Sequence, residues 1–199
     1  MEADGFVPDK TLETLHTKGD AFMEKYTKSP TTFKFRKCTA SDLNAVMALQ
    51  ETVYQGIKNK DVFVPSNREQ NQGFLKAPGF IFGCFDGAKL IAYSSLVIRG
   101  NNPDNLGWDL GWPQEKVLSC ALLDTIVVHP VYRGNHLQQR LIEYTLKILR
   151  ENPSMKYLLT TVSPQNQYSL HNVQAMGFEI VLKKMKYGGK ERFILCLTL

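Results

Sequence analysis

One stretch of this chain, residues 122–150, combines a strand pattern with a helix pattern and constrains the fold more than any other. Its first half holds a β-branched run at residues 126–128, which is typical of a covered strand. Pro130 ends that strand because it has no N–H to donate. From Leu137 onward, apolar residues recur at spacings of three and four, which predicts an amphipathic helix. The stretch therefore predicts a strand, a tight turn and a helix in direct succession.

The turn at residues 131–136 predicts an anion site. A strand that enters a helix through Arg133-Gly134 leaves several backbone N–H groups without partners, all directed to one side. The helix macrodipole adds partial positive charge at the same place. Phosphate is the usual occupant of such a site.

The other segments alternate strand and helix patterns. Further predicted strands cover residues 33–38, 80–85, 89–98, 157–162, 178–187 and 192–199, and further predicted helices begin near Leu43 and Gln167. The pairs Asp86-Gly87 and Gly188-Gly189 each predict a hairpin. Because a helix separates the strand at 157–162 from the strand before it, the two are expected to be parallel. This order predicts a mixed sheet with a parallel βαβ unit in its second half.

Two segments carry weaker patterns. Residues 58–72 are polar and predict a second short helix or a mobile segment, of the kind that often covers a substrate. Residues 99–113 predict a loop rich in Gly, Asn and Pro. Its two tryptophans, Trp108 and Trp112, are expected to be packed rather than to form a binding surface.

The length of 199 residues favours one domain with an additional arm. Apolar residues make up 43% of the chain, which is enough for a substantial core. Residues 1–30 carry a partial helical stripe and predict a helical arm, and residues 31–199 form the predicted domain. The arm packs either on this domain or on a second subunit. The sequence therefore does not decide between a monomer and a homodimer.

The charge and the cysteines exclude several classes of protein. The net charge of +5 is spread along the chain without a basic run, which argues against nucleic acid and suits an acidic cofactor equally well. No apolar run reaches the roughly 20 residues that span a bilayer, and no leader peptide is visible. A soluble, cytoplasmic protein without a membrane partner is expected. Four distant cysteines without metal-ligand spacing predict reduced core thiols and no metal site. They are Cys38, Cys84, Cys120 and Cys196.

Two motifs then follow one another along the chain. The first reads Val128-His-Pro130-Val-Tyr-Arg133-Gly134-Asn-His136-Leu-Gln138, and the second reads Asn166-Gln-Tyr-Ser169 followed by Gly177-Phe178. They resemble the V-x-P-x-x-R-G-x-G-x-G/A and N-x-x-[AS]…G-F motifs of the GNAT superfamily of acyl-CoA-dependent N-acetyltransferases. The resemblance covers roughly residues 33–199. It implies an α/β (α+β) fold, with a mixed, mostly antiparallel seven-stranded sheet, a central parallel βαβ unit and helices on both faces.

The resemblance also implies where coenzyme A would bind. Its pyrophosphate would lie on the amides after Arg133, and its pantetheine arm would pair with the strand near Ile126 and Val128, as an added β-strand would. Asn166 and Ser169 would lie beside that arm, or would act only as turn and capping residues. The implied cofactor-binding set is Ile126, Val127, Val128, Arg133, Gly134, Asn135, His136, Leu137, Gln138, Asn166 and Ser169.

Two positions of the first motif depart from the family pattern. The family usually has Gly where His136 stands and Gly or Ala where Gln138 stands, and small residues there let the pyrophosphate approach the backbone. The larger side chains either crowd the pyrophosphate, so that the turn shifts and binding weakens, or His136 supplies a charge or hydrogen bond to phosphate.

The resemblance implies direct transfer of an acetyl or other short acyl group from acetyl-CoA to a primary amine on a small molecule or peptide. Asp124 matches the acidic residue that acts as base in many members, and its alternative role is a strand-end or interface carboxylate. Val173 stands where many members carry the Tyr that protonates the thiolate, and Tyr168 would point elsewhere. The alternative function is a non-catalytic ligand-binding or scaffold protein with an impaired coenzyme A site.

Overall fold

The computed structural model describes residues 33–199, so the predicted arm at residues 1–30 lies outside the described residues. In the described part, seven strands form one sheet: β1 (Lys34–Lys37), β2 (Phe80–Asp86), β3 (Lys89–Val97), β4 (Cys120–Val128), β5 (Tyr157–Val162), β6 (Glu179–Lys186) and β7 (Lys190–Thr198). Their order is β1-β2-β3-β4-β5-β7-β6. Only β4 and β5 are parallel neighbours among these strands. The mixed, mostly antiparallel sheet with one parallel βαβ unit is therefore confirmed.

Six α-helices connect these strands within the described residues: α1 (Leu43–Gly56), α2 (Arg68–Phe74), α3 (Leu106–Asp109), α4 (Gln114–Leu118), α5 (Leu137–Arg150) and α6 (Gln167–Ala175). Single 3-10 turns occupy Ala40–Asp42, Lys60–Val62 and Pro130–Tyr132. The short helix α2 is one of the two structures that the polar segment predicted.

The prediction of a loop at residues 99–113 was wrong at residues 106–109, because the short helix α3 lies within it. Asn105 starts this helix by accepting a hydrogen bond from the Gly107 N–H at 3.0 Å. This local cap outweighs the Gly and Pro content of the segment. Of the two tryptophans, Trp112 packs against Tyr157 with ring centroids 5.0 Å apart. Trp108 remains 37% exposed, so only one of them is packed as expected.

Helices cover both faces of the sheet, as expected. Alternate side chains of β2 enter two different cores, because successive residues of a strand point to opposite faces. Phe80 and Phe82 pack in the core that contains Leu141 of α5. Ile81 packs in the core that contains Val46 of α1. The sheet is thus held between α1 and α5, and this fixes the ends of β4 on which the site is built.

The four cysteines form no disulfide with one another, and three of them are buried. Cys38, Cys84 and Cys120 are buried and unpaired, while Cys196 is unpaired and partly exposed. Burial raises the pKa of each of the three buried thiols to about 12. Within residues 33–199, every helix is too short or too polar to cross a bilayer.

Candidate active site

The parallel strands β4 and β5 separate partway along their length. Their pairing ends at Leu123 and Thr160, whereas β4 continues to Val128 and β5 to Val162. Past Leu123, β4 therefore has β3 on one side and an open cleft on the other. The uncovered edge of a strand presents backbone N–H and C=O groups with which an extended ligand can pair.

Asp124 occupies a β-bulge at the point of separation. Ser95 of β3 pairs with Thr125 and Leu96 pairs with Leu123, so Asp124 is the extra residue between the two pairs. A bulge bends its strand and redirects a side chain. Here it places a carboxylate in the wall of the cleft.

A groove of about 670 Å³ runs along the uncovered edge of β4, the turn after it, and the first residues of α5 and α6. Ten of the eleven residues in the implied cofactor set line this groove: Ile126, Val127, Val128, Arg133, Gly134, His136, Leu137, Gln138, Asn166 and Ser169. Asn135 is the exception. Its side-chain amide donates to the Tyr132 carbonyl at 3.0 Å and so holds the turn in shape.

The turn between β4 and α5 presents backbone donors to the groove. Within the described part of the chain, the backbone N–H groups of Gly134, Asn135, Leu137 and Gln138 have no acceptor. Gly134 has φ of +83°, and a Cβ there would meet nothing within 4 Å, because the groove opens beside it. Unpaired amides at the start of a 14-residue helix suit an oxyanion. The turn thus has the geometry expected of an anion site, and the binding of an anion there stays a prediction.

The Gln138 side chain connects the two helices that border the groove. Its amide donates to Ser169 Oγ at 3.2 Å and accepts from the Asn172 side chain at 2.9 Å. Asn166 caps α6 by accepting from the Ser169 N–H at 3.2 Å. Asn166 therefore has the capping role that the sequence left open, whereas the Ser169 hydroxyl joins α6 to Gln138 of α5, and both residues also border the groove.

His136 adopts a backbone conformation that favours glycine. Its φ of +53° and ψ of +23° lie in the left-handed region, which costs an L-residue roughly 1–2 kcal/mol. This is the physical reason for the Gly at that place in the motif. The imidazole is exposed, with Nδ1 2.8 Å from Gln139 Oε1, which holds the ring against the first turn of α5.

A second cavity of about 510 Å³ joins the groove where β4 and β5 separate. The two share part of their lining: Val62, Phe63, Ile126, Gln138, Asn166 and Ser169. Asp124 lines only the second cavity. A ligand lying along β4 would therefore end beside this carboxylate.

Three donors surround the Asp124 carboxylate. Thr125 Oγ1 donates to Oδ2 at 3.0 Å, and Ser66 Oγ donates to the same oxygen at 3.4 Å. Arg99 Nη2 lies 3.6 Å from Oδ1, and the Asp124 side chain remains 23% exposed. Burial raises the pKa of Asp124 above its usual range, although these donors act in the opposite direction. A carboxylate with a raised pKa in a cavity is a candidate proton acceptor.

The cavity also holds a phenol, at a place other than the one expected from the motif. Val173 is 2% exposed and belongs to the core, and Tyr168 is 89% exposed. Tyr187, from the turn between β6 and β7, lines the cavity with its hydroxyl 3.2 Å from Thr161 Oγ1. A phenol is protonated at neutral pH, and desolvation of the hydroxyl raises the pKa of Tyr187 further although the residue as a whole is 46% exposed, so this side chain can donate a proton.

The turn between β6 and β7 is tied to the segment that precedes α2. Arg192 donates to the Asp61 carbonyl at 2.7 Å, and Lys190 Nζ lies 2.9 Å from Asp61 Oδ1. Residues 62–66 follow this contact and line the cavity. The polar segment therefore borders the second cavity, which fits its expected role of covering a substrate.

Four residues of this cavity were missed by sequence reasoning: Ser66, Arg99, Tyr187 and Arg192. All lie outside the two motifs, and all four stand more than 20 positions from Asp124 in the sequence. The Gly188-Gly189 turn was the one available signal, because it returns β7 along β6 and brings Tyr187 and Arg192 near each other.

A sheet whose parallel pair opens at a bulge, with unpaired amides at one end of the cleft and a carboxylate at the other within the described residues, suits acyl transfer from a donor that carries phosphate. The model of the acetyltransferase (GNAT) family matches residues 43–178, and the chain belongs to that family. No curated protein sequence matches the chain.

Solved structures show the same fold. NAA60 from Arabidopsis thaliana, in complex with acetyl-CoA, is 17% identical with a TM-score of 0.66, over 84% of this chain and 99% of its own. A putative acetyltransferase from Salmonella typhimurium with its cofactor acetyl-CoA is 14% identical, with a TM-score of 0.63, over 84% and 94%. The ribosomal-protein-S18-alanine N-acetyltransferase from Escherichia coli is 16% identical, with a TM-score of 0.64, over 84% and 94%. The TM-scores establish a shared fold, and at these low identities they show the fold alone.

Proposed function

We propose that this protein is an N-acetyltransferase that transfers the acetyl group of acetyl-CoA to a primary amine by direct attack. The observation that carries the proposal is that two cavities join beside Ile126, one lined by the motif residues and the other by a carboxylate and a phenol. Two proteins of the same fold were solved with acetyl-CoA, which supports the choice of donor.

Different parts of the groove would bind different parts of coenzyme A. The unpaired amides of Gly134, Asn135, Leu137 and Gln138 would receive the pyrophosphate. The uncovered edge of β4 at residues 126–128 would pair with the pantetheine amides, as a strand pairs with its neighbour. This arrangement directs the thioester toward Asp124.

The reacting groups then have defined roles. Asp124 accepts a proton from the amine as its nitrogen forms a bond to the thioester carbonyl carbon. Backbone N–H groups on the uncovered edge of β4 stabilise the negative charge on the carbonyl oxygen. The carbon–sulfur bond breaks, and the Tyr187 phenol donates its proton to the leaving thiolate. The products are the acetylated amine and coenzyme A.

Direct attack is preferred to an acetyl-cysteine intermediate. A cysteine nucleophile acts as the thiolate and needs a lowered pKa. Here burial raises the pKa of Cys38, Cys84 and Cys120, and all four cysteines lie outside the lining of both cavities. Unpaired thiols also fit the cytoplasmic location expected from the sequence.

The proposal is tested by ligand binding followed by turnover. Acetyl-CoA at a hundred times its dissociation constant is expected to stabilise the fold by about 2.7 kcal/mol, seen as a higher melting temperature. Incubation with a panel of primary amines is expected to release thiol and to yield products that carry one acetyl group by mass spectrometry. Absence of stabilisation at millimolar acetyl-CoA would contradict the proposal.

A non-catalytic member of the family is the second candidate. Val173 favours it, because this buried side chain stands where a catalytic Tyr is common in the family. The two candidates differ in one outcome. A binding or scaffold protein would release no thiol with any amine, even while acetyl-CoA binds.

His136→Gly tests whether the unusual residue in the turn weakens or assists binding. Glycine removes roughly 1–2 kcal/mol of left-handed strain but adds about 0.5–1 kcal/mol of unfolded-chain entropy, so the melting temperature should change little. We expect coenzyme A to bind this variant at least as tightly as the wild type, by calorimetry. His136→Ala is the control that removes the ring and keeps the strain. A fivefold loss of affinity in both variants would mean that the imidazole binds phosphate.

A further inference from the structure

The cavity beside Asp124 contains charges of both signs. The ionisable residues in its lining, apart from Tyr187, are Arg99, Asp104, Asp124, Lys186 and Arg192. Two of the three cations have carboxylate partners, because Lys186 pairs with Asp109 and Arg99 lies 3.6 Å from Asp124. Asp104 is exposed, so solvent screens its charge. The remaining cation is Arg192.

Arg192 is a buried charge that forms no ion pair within residues 33–199, although its guanidinium lies 5.7 Å from the centroid of the Tyr187 ring and the Asp61 carboxylate acts on it from a longer distance. It is 4% exposed, and among residues 33–199 no carboxylate oxygen lies within 4 Å of its guanidinium. Its two hydrogen bonds go to neutral groups, the carbonyls of Glu191 and Asp61, at 2.8 and 2.7 Å. A guanidinium carries five N–H donors, so donors remain for a ligand. Burial of an uncompensated charge is costly, which favours a site that receives an anion.

We propose that the amine acceptor also carries a carboxylate, which Arg192 binds while the amine lies against Asp124. The inference rests on the proposed acetyl transfer and specifies its acceptor. A planar guanidinium matches a carboxylate in a two-point contact, which gives orientation as well as affinity. One cavity thus offers a cation to the acid end of the acceptor and a carboxylate to its amine end.

The dimensions of the cavity fit a compact acceptor of this kind. About 510 Å³ lies in the range of small-molecule sites. The turn between β6 and β7 borders the cavity and is tied to Asp61 by Arg192 and Lys190. Free amino acids and short peptides with a free carboxyl end are therefore the acceptor class.

A purely structural role for Arg192 predicts a different result. If its only task were to tie the turn to the Asp61 carbonyl, loss of the side chain would lower stability and would affect all acceptors alike. A role in recognition predicts a loss confined to acceptors that carry a carboxylate.

The experiment compares each common L-amino acid with its own C-terminal amide, which keeps the amine and removes the acid. Wild-type protein is expected to favour the acid by about tenfold to a hundredfold in kcat/KM, mainly through KM, as for one charge-assisted contact. In Arg192→Gln this preference is expected to fall to about one. Lys190→Gln is the matched control, because Lys190 also pairs with Asp61 but lies outside the cavity lining. It should keep the preference.

Several outcomes would overturn the inference. Equal rates of the wild type with acids and amides would do so while leaving the proposed acetyl transfer intact. So would an unchanged preference in Arg192→Gln, or a stronger reaction with O-phosphoethanolamine than with any carboxylate. If Arg192→Gln fails to fold, Arg192→Lys keeps the charge without the planar fork and should show an intermediate preference. Calorimetric titration of the acids into protein saturated with coenzyme A gives a readout without turnover, so it separates a failed acceptor from a failed transferase.

Discussion

Asp124→Asn is expected to lower kcat by about 10²–10⁴-fold, the range for loss of a positioned general base, while acetyl-CoA affinity stays within about twofold. The bulge places this carboxylate in the cleft, and Ser66 and Thr125 hold one of its oxygens by hydrogen bonds. Asparagine keeps the size of the side chain but cannot accept the proton. Single-turnover measurement of acetyl transfer, with calorimetry for acetyl-CoA, separates the two effects.

The pH dependence gives an independent check on Asp124. Because its pKa is raised by burial, the acid limb of the kcat/KM profile should lie above the usual titration range of an aspartate. Activity is full where the carboxyl is ionised and is lost as pH falls through that pKa. Asp124→Asn should lack this limb, whereas Asp104→Asn, a change of an exposed carboxyl at the same cavity, should retain it. A rise in KM alone would show that Asp124 binds the amine without accepting its proton.

Gly134→Asp is expected to weaken coenzyme A binding by about a hundredfold. An L-residue at φ of +83° is strained by roughly 1–2 kcal/mol, so the free turn relaxes to another conformation and coenzyme A must restore the strained one on binding. A carboxylate about 4 Å from the bound pyrophosphate adds about 1–4 kcal/mol of repulsion, depending on the local dielectric. A total near 3 kcal/mol corresponds to about two orders of magnitude in the dissociation constant.

Two control variants separate strain from charge. Gly134→Ala carries the strain alone and should lose about tenfold, because the open groove leaves room for its Cβ. Gly111→Asp introduces the same carboxylate at φ of +65° in a turn that lines neither cavity, and it should leave coenzyme A affinity unchanged. Equal affinity of Gly134→Asp and wild type would exclude this turn as the pyrophosphate site.

The fold was predictable because its main signals are local. The β-branched run and the spacing of Leu137 and Leu141 define β4 and α5 within a few residues. The Gly-containing turns predicted the two hairpins, and the helix between β4 and β5 predicted that these two strands are parallel. The short helix α3 was not predicted, because a single side chain, that of Asn105, determines where it begins.

The site was only partly predictable, because its other half is assembled from distant segments. The groove residues follow one another in two motifs and could be named from the sequence. The bulge that directs Asp124 depends on the register between β3 and β4, which no local pattern records. Arg99, Tyr187 and Arg192 reach the same cavity from a loop, from a turn and from the start of β7, so only the folded chain brings them together.

The separation of β4 and β5 also bears on the order of events during turnover. Since the two cavities have different walls and join only at shared residues, the proposed function gives each reactant a place of its own. Donor and acceptor can occupy the protein simultaneously, and no acyl group needs to be stored on the chain between half-reactions. The kinetics that follow from this architecture are those of a ternary complex, with intersecting rather than parallel double-reciprocal lines.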